Sequence, residues 1–369
     1  MNSLDFPKEK KDTKIVVAMS GGVDSSVVAV WLKKQGYNVI GITLQLYDHG
    51  AAISNKKACC AGADIKDAKD VASEFGFPHY VLDYESIFKE SVINDFADSY
   101  IRGETPIPCV RCNQSVKFSD LFKVAKDLGA DALATGHYVR RVVENGEVQI
   151  LRGIDHSKDQ SYFLFATTKD QLKFLRFPLG GQTKEETRRL ASDFGIKIAD
   201  KPDSQDICFV PDGDYKSVIN KIRPSAFKKG KIIDVKGNIL GEHEGIINYT
   251  IGQRKGLGIS SKNPLYVVKI DAKNNQIIVG EEEELFNSKF EIKDLNWLGS
   301  EEIFKKEINV TVKLRSAQIP QPALVHAFSK DKAIIKMIDP TRAITRGQAC
   351  VIYHEDRMLG GGWIDGILC

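Results

Sequence analysis

Short β-branched runs alternate with helix-length segments of three-to-four-residue apolar spacing along residues 1–135. Residues 14–20 (KIVVAMS) are too short and too β-branched for a helix, and residues 24–35 behind them have helical spacing that stops at Gly36. Residues 38–44 (NVIGITL) predict a second buried strand, 64–75 a helix ended by Gly76, and 79–82 a third strand. Helices are expected over 85–100 and 114–128, and 131–135 (DALAT) is a fourth strand. Strands separated by helix-length crossovers imply a doubly wound parallel sheet, an α/β domain.

The period then changes. Residues 139–152 place Glu144-Asn145-Gly146-Glu147 between two alternating segments, which predicts a hairpin. Two helical patterns over 169–194 are interrupted at Pro178-Leu179-Gly180-Gly181. Beyond about Ser225 helical spacing almost vanishes, and short β-rich runs follow at 231–235, 265–270, 276–279, 310–314, 333–337 and 349–353. Turn signals separate them, so a small β-rich central domain and a C-terminal β-barrel are expected. The acidic run 281–284 marks the seam. The expected domains are 1–225, 226–283 and 284–369.

Composition adds exclusions. Hydrophobic residues make up 42% of the 369 and charged ones 27%, an ordinary globular balance. No apolar run approaches the roughly 18 residues of a membrane span, and the polar start MNSLDFPKEKKDTK does not read as a secretory signal. Seven cysteines, an odd number, point to a reducing compartment where thiols react, ligate or lie buried. Cys59-Cys60, Cys350 and Cys369 have no partner motif and read as structural. The net charge of +3 does not by itself indicate a polyanion partner. Locally, residues 214–231 carry six basic side chains against one acid, a candidate track for a phosphate backbone.

The chemistry begins at Ser20-Gly21-Gly22-Val23-Asp24-Ser25-Ser26, between the first strand and the first helix. Two glycines allow the backbone close to an anion, the helix start offers free N–H groups, and three serines add donors. Asp24 can accept a hydrogen bond or help place a metal ion. The segment matches neither the Walker nor the dinucleotide pattern. It resembles the pyrophosphate-binding loop of the ATP pyrophosphatase superfamily, which implies adenylation of a carbonyl oxygen with release of AMP and pyrophosphate. Amide-forming synthetases and tRNA-modifying enzymes share that loop.

Cys109 and Cys112 stand in TPIPCVRCN, just before an expected helix, and Cys208 in SQDICF. A thiol at a helix start near Arg111 is expected to have a lowered pKa. On the residues alone, a zinc site, an iron–sulfur cluster on Cys109, Cys112 and Cys208, and simple burial remain open. A protein that binds RNA with a merely structural loop is a further reading.

In this order, SGGVDSSV, GITLQLY, TPIPCVRCNQSVKF, ATGHY, KDQSYFL, KPDSQDICFV, YTIGQRKGLG, GQACVIY and GGGWI cover nearly the whole chain. Together they resemble the tRNA-specific 2-thiouridylase family. The resemblance implies ATP-dependent 2-thiolation of the wobble uridine of tRNA. Cys112 would be the nucleophile and Cys208 the persulfide carrier, and the two would end as a disulfide that a reductant resets. It places ATP, with Mg2+, on Ala18, Met19, Ser20, Gly21, Gly22, Val23, Asp24 and Ser25, with Leu44 and Gly136 beside them. It places tRNA on Ile107, Pro108, Cys109, His137, Lys158, Asp159, Gln160, Arg315, Ser316 and Gln348. The target base would have to leave its stack to reach the cysteines. Many relatives have Asp where Cys109 stands, so that position departs from the pattern. The implied setting is a cytoplasmic monomer that meets tRNA and a persulfide donor, with no membrane.

Overall fold

β1 (Lys14–Ala18) is buried because every side chain from Ile15 to Val17 is apolar and has neighbours on both faces of the sheet. Each such side chain stabilises the fold by about 1.5–3 kcal/mol. The computed structural model describes residues 2–47, 60–203, 207–210 and 213–368. Cys59, Cys369 and Ser204, Gln205 and Asp206 of the second cysteine motif lie outside the described residues.

The chain forms two compact units. The first comprises Met1–Ser91, Cys109–Phe209 and Asp356–Met358; the second comprises Val92–Pro108, Val210–Glu355 and Leu359–Cys369.

In the first unit, β1 pairs in parallel with β2 (Asn38–Gln45) on one side and β4 (Ala132–Ala134) on the other. β3 (His79–Asp83) continues the β2 side and the short β7 (Leu175–Arg176) the β4 side, so the order is β3-β2-β1-β4-β7. The helices Val23–Lys34 and Cys60–Glu74 follow β1 and β2 as expected. The chain order reverses between β1 and β4, so a crevice opens at their carboxyl ends, where ligands of such sheets bind. β5 (Val139–Glu144) and β6 (Glu147–Arg152) form the hairpin, turned by Asn145 at φ 51° and Gly146 at φ 78°.

Three features differ from the pattern reading. β7 (Leu175–Arg176) is a two-residue strand inside a segment read as helical; Leu175 and Arg176 pair with Leu133 and Ala134 because Leu175 is fully buried. The helix expected over 85–100 is broken into Glu85–Phe88, a π-helical turn Lys89–Ile93, and Asn94–Ile101. The helix expected from 114 begins earlier, at Pro108, which is tolerated there because a first-turn N–H has no intrahelical partner. It runs as Pro108–Cys112, then a π-helical Asn113–Asp120, then Leu121–Asp127.

In the second unit, helix Asn94–Ile101 packs with helix Tyr215–Ile222. Tyr100 and Tyr215 stack with centroids 4.7 Å apart, and Arg223 grips Asp98 at 2.9 and 3.2 Å. That ion pair takes one cation out of the basic run. A four-stranded sheet follows, from β8 (Gly230–Asp234), β9 (Ile239–His243), β10 (Tyr266–Asp271) and β11 (Gln276–Gly280). The turn Glu282–Leu285, at the acidic seam, leads into β12 (Phe286–Trp297), β13 (Ile308–Lys313), β14 (Gln321–Ala327), β15 (Lys332–Arg342), β16 (Ala349–His354) and β17 (Arg357–Ile367). These run β12-β15-β14-β13-β16-β17, and β12 pairs with β17 to close the barrel. Its interior holds Phe290, Ile292, Val312, Val325, Ile335 and Ile352.

Candidate active site

The glycine loop leaves β1 at the crevice. Met19 is pinned by its N–H to Ile42 O at 2.8 Å, and its side chain is buried. Gly21 takes φ 76°, and a Cβ there would lie 2.1 Å from Asp64 O, so only glycine fits. Gly22 caps helix Val23–Lys34 without any side-chain cap. The N–H groups of Val23, Asp24 and Ser25 therefore have no intrahelical partner and face outward at the positive end of the helix. Ser25 Oγ accepts from Ser20 N at 3.1 Å and lies 3.3 Å from Ser20 Oγ, which gathers both hydroxyls at the loop. Gly136, after β4, packs so closely that a Cβ would come 2.9 Å from Ser25 N. This is an anion cradle of backbone donors, and it fits a nucleotide pyrophosphate. Ala18 and Leu44 end β1 and β2, both half-buried beside it.

Around the cradle stands a network absent from the sequence reading. Asp24 Oδ1 accepts from Tyr138 Oη at 2.9 Å, and its carboxylate accepts from Lys184 Nζ at 2.7 and 2.9 Å. Lys184 also meets Asp203 at 2.8 Å, and Asp203 is held by Lys158 at 2.9 Å and Arg188 at 3.1 Å. Burial alone would raise the Asp203 pKa, but the hydrogen bonds and charges of Lys184 and Lys158 outweigh it and hold it at about 2. Lys201 Nζ joins Gly21 O at 2.9 Å to Asp64 and Asp67. Lys184 was traceable: Thr183 and Glu186 form a capping box, a pattern visible in sequence, which sets Lys184 at the first helical position.

The three motif thiols gather in the first unit. Cys109 and Cys208 expose surface while Cys112 is buried, and all three are free thiols. Each sits in dense surroundings, and the expected lowering of the thiol pKa is corrected. Desolvation raises Cys112 and Cys109, against a smaller opposing effect of Lys117. Cys208 is pushed up to about 12 by desolvation, then by Cys112 and Cys109, with Lys117 and a hydrogen bond from Tyr47 opposing. Cys109 and Cys112 also lie inside the helix, as its second and fifth residues, rather than before it, and Arg111 Nη1 reaches Gln114 at 3.3 Å. Burial outweighs the helix end. Cys350 is buried in the barrel core. Among the described residues, no group of three His, Cys, Asp or Glu side chains is arranged to hold a metal ion.

The residues expected at tRNA fall in several places. His137 is half-buried against the rings of Phe118 and Phe177, with Nδ1 2.8 Å from Thr135 Oγ1. Desolvation, then Lys117, pushes its pKa down to about 3, so it is neutral at physiological pH. Asp159 is buried and accepts from Gly153 N, Ser161 N, Ser161 Oγ and Arg152 Nε, which makes it the anchor of its turn. Gln160 accepts from Tyr138 N at 3.0 Å and so positions the tyrosine that touches Asp24.

Ile107 and Pro108 are buried in the second unit. Arg315 and Gln348 line one cavity of about 500 Å³ there, with Arg315 exposed and Ser316 half-buried next to it.

Three family models match the chain: a tRNA methyl transferase HUP domain over residues 13–212, a tRNA methyl transferase PRC-barrel domain over 216–281, and an aminomethyltransferase beta-barrel domain over 287–364. The tRNA-specific 2-thiouridylase MnmA of Rickettsia massiliae is 63% identical over 96% of this chain and 97% of its own. That of Rickettsia africae is 62% identical over the same shares. Among solved structures, a 4-thiouridine synthetase–RNA complex with bound ATP matches 53% of this chain and 45% of that one, at 19% identity and a TM-score of 0.36.

Proposed function

Because the chain belongs to the tRNA-specific 2-thiouridylase family, we propose a specific route by which its residues carry out the reaction. The chain is a tRNA sulfurtransferase that replaces the C2 oxygen of a uridine by sulfur. The target in this reading is the wobble uridine. Residues 1–225 act on ATP and the base, and 226–283 and 284–369 hold tRNA, in the cytoplasm and as a monomer.

ATP enters the cradle of residues 18–25, with Leu44 and Gly136 flanking it. Any Mg2+ would arrive on its phosphates, with Asp24 as the carboxylate of the loop itself. The uridine C2 oxygen attacks the α-phosphate, and pyrophosphate leaves with the electron pair. The oxygen is then part of an AMP leaving group. A persulfide on Cys208, loaded by a donor protein, attacks C2 through its terminal sulfur and AMP departs. The Cys112 thiolate then attacks Cys208 Sγ; the S–S bond breaks, its electron pair stays on the sulfur now bound to C2, and a Cys112–Cys208 disulfide remains. Alternatively Cys112 attacks before transfer and releases sulfide as the nucleophile, with the same disulfide as outcome. A two-electron reductant closes the cycle.

The observation that carries this reading is the presence, in one unit, of an uncapped glycine cradle and three motif thiols, with Cys112 and Cys109 close enough to perturb Cys208. Without reductant, turnover is expected to stop after about one product per enzyme, with a Cys112–Cys208 crosslink found by peptide mapping. Cys112→Ser and Cys208→Ser are each expected to block thiolation and keep ATP binding. Cys109→Ser is expected to retain substantial activity, whereas its loss would favour a cluster on the three thiols. Full thiolation by the Cys208→Ser enzyme with the persulfide donor would sink the relay.

A further inference from the structure

Lys184 stands inside the nucleotide site, yet the route above gives it no task. It opens the helix Lys184–Asp193, where the Thr183–Glu186 capping box fixes the turn and its own N–H donates to Asp155 at 3.3 Å. Its side chain is 12% exposed, and its ammonium lies between two carboxylates. Nζ donates to Asp24 Oδ1 at 2.7 Å and Oδ2 at 2.9 Å, and it meets Asp203 Oδ1 at 2.8 Å. The Tyr138 ring centroid is 5.7 Å from the same nitrogen.

The two carboxylates differ in what else holds them. Asp203 also has Lys158 at 2.9 Å and Arg188 at 3.1 Å, so it stays compensated without Lys184. Asp24 has the Tyr138 hydroxyl at 2.9 Å, and Lys184 is its one cationic partner among the described residues. The charge of Lys184 therefore answers Asp24, while Asp203 keeps the ammonium in place.

Asp24 belongs to the first turn of helix Val23–Lys34, whose N–H groups form the cradle. A polyphosphate on those donors lies within a helical turn of this carboxylate, and like charges that close repel strongly unless a cation stands between them. In the free protein that cation is the ammonium. Mg2+ arriving on a nucleotide uses one or two carboxylates beside the phosphate oxygens. A lone aspartate that already holds a cation against both of its oxygens suits such an ion.

We propose that Lys184 is a positioning residue that holds the place of the metal. Its ammonium occupies Asp24 in the free enzyme and yields that carboxylate when ATP brings Mg2+, remaining on Asp203. Charge balances at both stages. Asp24 faces first the ammonium and then the metal, and Lys184 is never left as an unpaired cation in a largely buried place. Arriving phosphates thus never meet a bare carboxylate. The proposal rests on the reading of residues 18–25 as an ATP cradle, and it gives a task to a residue that reading left unused.

Equilibrium dialysis of ATP without tRNA, in Mg2+ and in EDTA, separates this role from a structural one. The wild type is expected to bind in both. Lys184→Met is expected to stay within about threefold of the wild type in Mg2+ and to bind about ten- to a hundredfold more weakly in EDTA, where Asp24 repels the phosphates. Adding Asp24→Asn to Lys184→Met is expected to restore EDTA binding to within about threefold of the wild type, and Lys184→Arg to keep it. If Lys184→Met does not fold, Lys184→Gln takes its place, and Asp24→Asn alone must bind ATP in EDTA at least as tightly as the wild type. Equal losses in Mg2+ and EDTA that Asp24→Asn does not repair would overturn the proposal and make Lys184 a direct phosphate ligand. So would EDTA binding by Lys184→Met equal to that of the wild type. A wild type that binds no ATP in Mg2+ would overturn the cradle reading itself, and the proposal with it.

Discussion

Cys208 shows how far burial can overrule sequence position. The thiol stands in an irregular segment and exposes some surface, yet desolvation and its cysteine neighbours push its pKa to about 12. A thiol at the ordinary 9.0 would carry about 1000 times more thiolate at pH 8. The higher pKa makes the remaining thiolate about 20 times more nucleophilic, so net alkylation should be about 50-fold slower than for a free thiol. The rate should rise about tenfold per pH unit and level off only near pH 12. Iodoacetamide labelling of Cys208 followed by mass spectrometry checks this, and a midpoint below pH 9 would show that the described surroundings do not persist in solution. Such a thiol resists oxidation at rest, and because it must attack the donor's outer sulfur as a thiolate, loading is expected to require that the donor lower its pKa.

Two distant side chains, Tyr138 and Lys184, meet Asp24, and their separation explains which parts of the site were legible. The cradle itself is short-range: one strand, two glycines and a helix start, all within a dozen residues, so pattern and composition sufficed to place it. Tyr138 and Lys184 are 114 and 160 positions from Asp24, and no local spacing brings them there. The π-helical turns Lys89–Ile93 and Asn113–Asp120 were likewise illegible, since their periodicity is close to that of an ordinary helix. The thiol environment depends on what packs over it, which adjacent residues such as Arg111 do not report. Asp24→Ala is expected to reduce AMP and pyrophosphate release on tRNA by at least about a hundredfold. Its thermal stability should fall by only about 1 kcal/mol, because Lys184 keeps Asp203 at 2.8 Å as partner. Adenylation at the wild-type rate would remove Asp24 from the nucleotide site. The Asp203 cluster adds a pH dependence. Its carboxyl is held at about 2 against an ordinary 3.8, so it contributes on the order of 2 kcal/mol above pH 4, lost as pH falls toward 2. Acid unfolding of Asp203→Asn should lack that component.

At the scale of the whole chain, the residues proposed for ATP lie in the first unit, while those proposed for tRNA are divided between the two. The glycine loop, Asp24, the three thiols, His137 and Lys158 belong to the first, and Arg315 and Gln348 to the second. The chain leaves the first unit after Ser91, returns at Cys109 and leaves again after Phe209, so Cys109 and Cys208 stand within a residue or two of those crossings. The motif order along the sequence was enough to place this chain in its family, because it is spread over nearly every element. It could not show that Arg315 shares a cavity with Thr105, 210 positions earlier (315 − 105), since that requires the barrel to close. Arg315→Ala follows from this arrangement. Removing one phosphate contact should weaken tRNA about five- to tenfold at moderate salt and reduce the slope of log affinity against log salt by about one. Its one described side-chain bond, to Ala343 O, is a single part-buried contact of an exposed residue, so the barrel should lose only a few degrees of melting temperature. ATP affinity measured without tRNA should not change, because the cradle contains no part of the second unit. Single-turnover thiolation at saturating tRNA should then approach the wild-type rate. An unchanged salt slope with unchanged affinity would take Arg315 out of the interface, and a lost rate at saturation would instead give it a part in presenting the base.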